Sequence, residues 1–344
     1  MIYKWGELIA LEYGKPVKDK ARTDGQYPVY GTNGQIGTSN LTPLCDHPSF
    51  ILGRKGAYRG VHYSSVPFSV IDTAFYAVNL HPDILDIKWA YYRFLTYDIN
   101  SMDSGSAIPS TDRYEIYAIE VDLPDIDEQK REVKLLECFD DKIANITEIN
   151  DNLQQQAQAI YASMFIDNAD PAWEQGHLSD LITVKYGKDH KKLADGSYPV
   201  YGSGGVMRHV ERPLYDKESV LIPRKGTLNN VMYVNQPFWS VDTMFYTEMR
   251  LPNVAKFVYH FVKAKDLASM NAGSAVPSMT TDILNAMEVA IPSASALEEF
   301  EALVSPMYKT MQENDDQSET LAKLRDALLP KLMSGEIDVY GIQL

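Results

Sequence analysis

The chain has 344 residues, of which 45% are hydrophobic and 23% charged, a composition typical of a soluble protein long enough for two domains with separate cores. Its formal net charge of −15 argues against a protein that binds nucleic acid unaided, because neutralisation of phosphates drives such binding. The sequence has no apolar run of about 18 residues, the length that spans a membrane, and begins without the pattern of a secretory signal, so we expect a cytoplasmic protein.

The chain contains two copies of one series of sequence blocks. DGQYPVYGTNG, which starts at Asp24, returns as DGSYPVYGSGG, which starts at Asp195. Four further blocks recur in the same order: LIALEYGK and LITVKYGK, GRKGAYRGVHY and PRKGTLNNVMY, PFSVIDTAFY and PFWSVDTMFY, SGSAIPS and AGSAVPS. The period is far longer than the about 20–50 residues of solenoid and propeller repeats. The sequence therefore predicts two homologous domains.

Within each copy, short runs rich in β-branched and aromatic residues are bounded by Gly, Pro and Asn. Such runs predict strands joined by tight loops, and they include YPVYG, SFILG, SVLIP and VDTMFY. Residues 88–98 and 253–270 show helical spacing of apolar residues, and IEVDLP and MEVAIP predict a closing strand in each copy. The sequence therefore predicts an α+β protein with two mixed α/β domains.

A long polar stretch with apolar residues at alternating steps of three and four follows each copy. This heptad pattern predicts two long helices that pair along a coiled-coil seam, although each stripe could instead pack on its own domain. Antiparallel pairing would relate the halves by a pseudo-twofold axis, and about 30 residues would span roughly 45 Å, more than one turn of B-DNA. The predicted seam residues are Leu136, Phe139, Ile143, Ile146, Asn150, Leu153, Ile160, Met307, Met311, Asn314, Leu321 and Leu328. The predicted boundaries are 1–125 for the first domain, 126–168 for the first long helix, 169–293 for the second domain, and 294–344 for the second long helix and tail.

Neither copy contains a complete catalytic or metal site. Asp125 and Glu128 superficially match a metal-dependent nuclease, but only two residues separate them, and a helix start with acidic residues in its first turn explains them better. The glycines of YGSGG lack the full nucleotide-binding fingerprint and indicate a turn that needs a positive φ. Cys45 and Cys138 fall at unmatched places in the two copies, which predicts neither a disulfide nor a zinc site. These observations favour binding over catalysis, with no cofactor in this chain.

Both copies carry an Arg-Lys-Gly triplet after an apolar strand. Two adjacent cations beside a glycine suit a loop that approaches a phosphate backbone or enters a groove. The alternative is an internal ion pair of each arginine with the repeated Asp72 or Asp242. Neighbouring loop residues differ between the copies, as two distinct recognition surfaces would. The candidate contact residues are Thr32, Asn33, Arg54, Lys55, Tyr58, Arg59 and Ser106 in the first copy and Ser203, Arg208, Arg224, Lys225, Asn229, Asn230 and Ser274 in the second.

Taken in order, these blocks resemble the specificity subunit of Type I restriction-modification enzymes. YPVYG, a strand followed by RKG, a DT-x-FY block, a GSA-x-PS loop and a long helix that ends near LMSGEID carry the resemblance, which covers nearly the whole chain. It implies two target-recognition domains that each read half of a split double-stranded DNA sequence. It also implies helices that dock DNA methyltransferase subunits, two by expectation, with restriction and translocase subunits joining the assembly. S-adenosylmethionine would be bound by the methyltransferase, and this chain would be non-catalytic.

The resemblance also offers an explanation of how a chain with a negative net charge could take part in DNA recognition. The acidic helices would dock other subunits, while the recognition domains need only locally basic faces. A rival hypothesis is a coiled-coil scaffold whose paired domains bind protein or glycan, and a glycan site would present aromatic platforms with carboxylates. A stand-alone nuclease or methyltransferase is disfavoured because no complete site is present.

Overall fold

The chain forms two compact units. The computed structural model describes residues 1–20, 23–102, 109–270, 278–337 and 339. The first unit comprises Met1–Ile146 and Asp316–Leu344, and the second comprises Thr147–Asp315. Each unit therefore contains one copy of the repeat and part of each long helix. Within the described ranges, no helix is long and apolar enough to cross a membrane.

In its described residues, the first domain has three small sheets, three short α-helices and one 3-10 turn, Ile99–Ser101. The elements are β1 (Ile2–Lys4), α1 (Trp5–Leu8), β2 (Ile9–Tyr13), β3 (Tyr27–Gly31), β4 (Gly34–Ser39), β5 (Ser49–Gly53), β6 (Val61–Ser64), β7 (Ser69–Val70), β8 (Ala74–Asn79), α2 (Ile87–Leu95), α3 (Arg113–Ala118) and β9 (Glu120–Asp122). The sheets have the strand orders β2-β8-β5-β6, β4-β3-β7 and β1-β9. All neighbouring strands are antiparallel except β3 and β7, which are parallel.

The second domain repeats this topology. After α4 (Ile126–Ala162), its elements are β10 (Glu174–His177), α5 (Leu178–Leu181), β11 (Ile182–Tyr186), β12 (Tyr198–Gly202), β13 (Gly205–Val210), β14 (Ser219–Pro223), β15 (Met232–Val234), β16 (Trp239–Ser240), β17 (Met244–Met249), α6 (Ala255–Lys263), α7 (Thr281–Asn285) and β18 (Glu288–Ile291), and α8 (Ala294–Met333) follows. Its sheets have the orders β11-β17-β14-β15, β13-β12-β16 and β10-β18. The predicted mixed α/β fold in two copies is confirmed.

Three elements differ from their predicted extents, and the helix expected over residues 88–98 is Ile87–Leu95. VDTMFY is a strand only from Met244, because the backbone N–H of Met244 donates to the carbonyl of Val241 (2.9 Å) and closes a tight turn before the strand. The helix expected over residues 253–270 is confined to Ala255–Lys263.

Both long helices are present. The carboxylate of Asp125 accepts hydrogen bonds from the backbone N–H groups of Asp127 (3.0 Å) and Glu128 (2.9 Å). This cap satisfies N–H groups that the first turn leaves without helical partners, so the interpretation of Asp125 as part of a helix start is confirmed. A π-helical turn, Ser163–Asp167, extends α4 beyond Ala162.

The long helices are antiparallel within the second unit. The Asn314 side chain donates to the Asn150 side chain (2.7 Å), and the rings of Tyr161 and Phe300 lie 6.2 Å apart. The C-terminal part of α4 therefore packs against the N-terminal part of α8. All the predicted seam residues are buried or half-buried. The pseudo-twofold relation between the halves stays a prediction.

The long helices also pack on the domains, as the alternative interpretation proposed. In the second unit, Phe300 and Val304 of α8 belong to the same buried cluster as Phe257 of α6. In the first unit, Leu136 of α4 and Leu332 of α8 join the cluster that contains Trp5 and Trp89. The two stripes therefore serve both kinds of contact, because each helix buries more than a narrow seam.

The long helices contact the domains through different buried polar groups in the two units. In the first, the Trp89 ring N–H donates to buried Glu132 (2.5 Å), and burial raises the pKa of the Glu132 carboxyl to about 7 although the Trp89 hydrogen bond opposes the shift. In the second, the buried His260 ring lies 2.7 Å from Gln158 Oε1 and accepts from the Tyr308 hydroxyl (2.9 Å). Burial lowers the pKa of His260 to about 4. Glu132 and His260 therefore contribute to stability with opposite dependence on pH.

We expect Glu132→Gln to stabilise the first unit above neutral pH. Because the folded pKa of Glu132 exceeds its ordinary value of 4.5, its contribution to stability is present below about pH 4.5 and lost as pH rises to about 7. The substitution should raise the free energy of unfolding at pH 8 by roughly 2 kcal/mol and change it little at pH 4.5. Urea unfolding followed by tryptophan fluorescence measures both values. Glu115→Gln, at an exposed position, should show no such pH-dependent gain, and an equal gain in both variants would contradict the assignment to Glu132.

Candidate nucleic-acid interface

Two loops meet at one end of each domain, and we call this pair of loops the recognition tip. It comprises residues 32–34 and 54–60 in the first domain and residues 203–205 and 224–230 in the second. The backbone N–H of Gly60 donates to the carbonyl of Thr32 (2.9 Å) and joins the two loops. Gly34 and Gly205 have φ of 115° and 112°, which confirms that these glycines form a turn with a positive φ rather than a nucleotide-binding loop.

The repeated arginines do not form the predicted alternative, an ion pair with the repeated aspartates. Nη1 of Arg54 donates to the backbone carbonyl of Asp72 (2.9 Å), and Nη1 of Arg224 donates to that of Asp242 (3.1 Å). Within the described ranges, no carboxylate pairs with either guanidinium. The same residues are therefore in contact, but the positive charges are not neutralised.

Each of these guanidinium groups also lies over a tyrosine ring. Arg54 Cζ is 4.7 Å from the centroid of Tyr13, and Arg224 Cζ is 5.4 Å from that of Tyr186. Tyr13 and Tyr186 are 43% and 52% exposed, so the stacked cations lie at the surface. Stacking fixes the plane of a guanidinium and leaves its N–H edge available for an anion.

The adjacent lysines are also at the surface. Lys55 and Lys225 are exposed, and their backbones pair with Ser110 and Ser278. Their backbones are therefore held while their ammonium groups remain in solvent. The recognition tip of each domain thus presents one stacked arginine and one exposed lysine.

Arg59 lies in the interior, unlike the other predicted contacts of the first tip. It is 2% exposed, and its Nη2 donates to the carbonyls of Ile99 (3.2 Å) and Asn100 (2.8 Å). Its backbone N–H donates to the Asn100 side chain (2.7 Å). In this conformation its guanidinium anchors the loop and does not reach the surface.

The equivalent position in the second domain also anchors its loop, but with shorter side chains. The Asn229 amide donates to the Asp266 carboxylate (3.0 Å) and its carbonyl accepts from the Ala268 N–H (3.0 Å). The Asn230 amide donates to the carbonyl of Ser203 (2.9 Å) and so replaces the backbone bond made by Gly60. The two tips therefore share a shape and hold it with different chemistry.

Several buried polar atoms in and beside the first tip have no hydrogen-bond partner among the described residues. They belong to three neighbouring side chains: Oγ1 of Thr32, Nε and Nη1 of Arg59, and Nε2 of His62. Burial lowers the pKa of the His62 imidazole. Buried polar groups are nearly always paired in folded proteins, so these atoms form an unusual polar cluster beneath the first tip.

The remaining predicted residues fall in different settings. Asn33 and Tyr58 are exposed, the latter by 63%. Arg208 is paired with Asp195 (2.9 Å) and with the Leu193 carbonyl (2.9 Å), so its charge is already compensated. Ser106 and Ser274 lie outside the described residues.

The strands that follow the first loop of each tip expose apolar residues that sequence reasoning missed. Ile36 on β4 is 43% exposed, and Val206 and Met207 on β13 are 52% and 60% exposed. Apolar side chains on a hairpin beside cations can contact thymine methyl groups in a DNA groove. The sequence carried no signal of their exposure, because apolar residues on a strand are ordinarily expected to face a core.

Two exposed rings of the first domain, those of Tyr13 and Tyr114, lie beside cations rather than carboxylates. Tyr114, 65% exposed, lies under Arg113 (5.1 Å from Cζ to the ring centroid), and Tyr13 contacts Arg54. A glycan site of the kind predicted by the rival hypothesis would pair such rings with acidic groups. The local chemistry therefore suits an anionic ligand better.

Comparison with known proteins finds a family model and relatives that match most of this chain. Residues 1–155 and 171–316 match the family model "Type I restriction modification DNA specificity domain". The specificity subunit of a Type I restriction enzyme from Methanocaldococcus jannaschii is 23% identical over 299 residues, 73% of this chain and 69% of that protein. A type I specificity subunit from Mycoplasma pneumoniae is 23% identical over 95% of this chain and 94% of that one. The fold is similar to the crystal structure of a Type I restriction-modification S subunit from M. genitalium, with a TM-score of 0.58 and 19% identity over 96% of this chain and 95% of that one.

Proposed function

The chain belongs to the Type I restriction modification DNA specificity domain family, and we propose from this membership that each of its two domains reads one half of a split double-stranded DNA target. The observation that carries the proposal is the pair of recognition tips. Both tips place a stacked arginine and an exposed lysine on one scaffold. Their other residues differ, which is what two different half-sites require.

The proposed mechanism separates affinity from specificity. The cations of each tip would contact phosphates, which position a protein on DNA without reading sequence. Exposed side chains such as Asn33, Tyr58 and Met207 would meet base edges, where hydrogen bonds and apolar contacts discriminate between bases. The anchored residues Arg59 and Asn229 would hold the loops in the shape that places those contacts.

The partners follow from the same proposal. DNA methyltransferase subunits, two by expectation, would dock on α4 and α8, and restriction and translocase subunits would join the assembly. S-adenosylmethionine would be bound by the methyltransferase, so this chain would contribute recognition and no catalysis. The assembly would act in the cytoplasm, where bacterial and archaeal DNA lies. Partner subunits would supply further phosphate contacts, which would offset the net charge of −15.

A map of methylated adenines across the host genome, with and without this gene intact, tests the proposal. We expect a split motif with a fixed gap to lose its methylation when the gene is deleted. Restoring the gene should restore the same motif. An unchanged map in cells whose partner methyltransferase is expressed and active would overturn the proposed function.

The length of α4 and α8 is expected to set the gap between the half-sites. Insertion of seven residues after Ile146 in α4 and seven before Asp316 in α8 lengthens each helix by about 10 Å where the two units meet in sequence. This should increase the permitted gap by roughly three base pairs, since each base pair rises about 3.4 Å. Methylation of a library of targets with different gaps measures the shift. Insertion in α4 alone breaks the pairing of the two helices and should reduce methylation at every gap. An unchanged gap with both insertions would show that the helix length does not set the distance between the half-sites.

A further inference from the structure

Two arginines of the first domain contact one tyrosine ring. Arg54 Cζ lies 4.7 Å and Arg113 Cζ 5.0 Å from the centroid of Tyr13. Arg54 belongs to the recognition tip, and Arg113 is the first residue of α3. The backbone carbonyl of Arg54 accepts from the N–H of Thr111 (2.9 Å), which holds the segment before α3 against the tip. Both guanidinium groups therefore lie within about 5 Å of one ring.

Neither guanidinium is compensated by a carboxylate among the described residues. Arg113 donates weakly to the Leu11 carbonyl (3.5 Å) and the Tyr114 hydroxyl (3.3 Å), and its Nε is buried without a partner. The nearest acidic neighbour in sequence, Asp112, is engaged as the cap of α3, where it accepts from the Tyr114 N–H (2.9 Å). Two positive charges close to one ring repel each other, so an anion that contacts both would be stabilised by both.

The arrangement suits a phosphate group. A guanidinium presents a planar fork of N–H donors that can hold phosphate oxygens bidentately, and stacking on a ring lowers the conformational freedom lost on binding. The N–H edges of two such forks beside Tyr13 have unused donors. A carboxylate would fit the same donors, but the surface adjoins the tip that we assign to DNA.

The second domain lacks half of this arrangement. It keeps Tyr186 with Arg224 stacked at 5.4 Å. Alignment of the SGSAIPS and AGSAVPS blocks places Thr281 opposite Arg113 and Asp282 opposite Tyr114. An acidic side chain at that place disfavours a second phosphate contact, so the two domains differ in backbone binding as well as in base contacts.

We propose that Arg54 and Arg113, held on Tyr13, form a clamp for a DNA phosphate beside the half-site read by the first domain, and that the second domain has only a single-arginine version. The inference rests on the proposed function and adds an asymmetry to it. The first domain holds its half-site with one more phosphate contact than the second. Its binding is therefore more sensitive to salt.

The test uses the chain assembled with its methyltransferase subunits and a duplex that carries the complete target. We expect Arg113→Ala to lower the slope of log affinity against log salt by about 0.9, the value for one phosphate contact, so that the loss of affinity between about 50 and 200 mM salt becomes roughly threefold smaller. Arg113→Lys should keep the slope close to that of the wild type, because it keeps the charge. The matched change in the second domain, Thr281→Ala, should leave the slope unchanged.

Neutral methylphosphonate linkages locate the contact. One such linkage in the first half-site should weaken the wild-type complex and have little further effect on the Arg113→Ala complex. Any linkage in the second half-site should change the affinity of the two complexes by the same factor. A role of Arg113 in stability alone would lower the melting temperature and leave the slope and the linkage pattern as in the wild type, which would overturn the clamp. A difference between the variants that occurs in phosphate buffer but not in chloride buffer would identify a free phosphate ion as the ligand and would also overturn it.

These outcomes are distinguishable from failure of the proposed function. If the wild-type assembly shows no preference for a split target, the proposed function fails and the clamp fails with it. If the wild type binds its target specifically and Arg113→Ala binds with the same slope, the function stands and the clamp is wrong.

Discussion

Replacement of both Asn229 and Asn230 by alanine is expected to lower methylation of the native target by about 10- to 100-fold and to relax only the half-site read by the second domain. The two side chains bond Asp266, Ala268 and Ser203 and so hold the second tip in shape. Only the Ser203 carbonyl is partly buried, and leaving it unpaired costs about 1–3 kcal/mol, whereas the exposed partners of Asn229 can bond to water once the loop is released. A library of targets randomised in both halves, methylated in vitro and sequenced, measures the change.

A matched variant in the first domain controls for this result. Arg59→Ala removes the anchor at the equivalent position, where the guanidinium donates to the carbonyls of Ile99 and Asn100. It should relax the other half-site and leave the second unchanged. Relaxation of both halves by either variant would show that the tips do not act independently.

Phe300→Ala should destabilise the second unit by about 3–5 kcal/mol, the usual cost of deleting a fully buried aromatic side chain. The Phe300 ring is 0% exposed and its centroid lies 5.1 Å from Phe165, 5.8 Å from His260 and 6.2 Å from Tyr161. It therefore joins α8 to both α4 and α6. Urea unfolding monitored by tryptophan fluorescence should show the loss as a lower midpoint for the transition that reports on Trp173 and Trp239.

Leu303→Ala is the control on the same helix. Leu303 is 48% exposed, so its truncation should change the free energy of unfolding by less than about 0.5 kcal/mol. A similar loss in both variants would mean that α8 contributes its helical structure rather than the specific packing of Phe300. If Phe300→Ala instead lowered the midpoint of the transition that reports on Trp5 and Trp89, the assignment of Phe300 to the second unit would be wrong.

The first core extends beyond the repeated blocks. Leu136 of α4 and Leu332 of α8 belong to the same buried cluster as Trp89, and Nη1 of Arg93 donates to the carbonyl of Met333 (2.6 Å). A fragment that ends before α4 would expose the face of α2 that these residues cover. Designs that exchange recognition domains should therefore carry the matching helix segments with them.

Exchange of domains also has to respect polar pairs that differ between the units. The Tyr92 hydroxyl donates to Asp140 (2.6 Å) in the first unit, where Asp140 also pairs with Arg325 (2.6 Å). The equivalent contact in the second unit is between His260 and Tyr308. A domain placed on the other helix pair would bring Tyr92 to Tyr308 and His260 to Asp140, which would leave one carboxylate without its phenol and bury a histidine beside a charge.

Much of the architecture followed from patterns that are local in sequence. The repeated blocks determined that there are two domains of one topology, and the heptad stripes determined that long helices follow each domain. These patterns are readable because strands and helices bury faces with fixed periods of two and about 3.6 residues. The cap at Asp125 and the glycine turns at Gly34 and Gly205 were predictable for the same reason, since each depends on only a few neighbouring residues.

The state of individual loop side chains depended on the tertiary structure. Arg59 and Arg54 look alike in sequence, yet one is buried against Ile99 and Asn100 while the other is stacked on Tyr13 at the surface. Arg113 lies far from Tyr13 in the chain, and no pattern along the sequence connects them. Whether a cation is buried, paired or available for a phosphate is decided by residues distant in sequence that the fold brings within a few ångströms, and that information is absent from any local pattern.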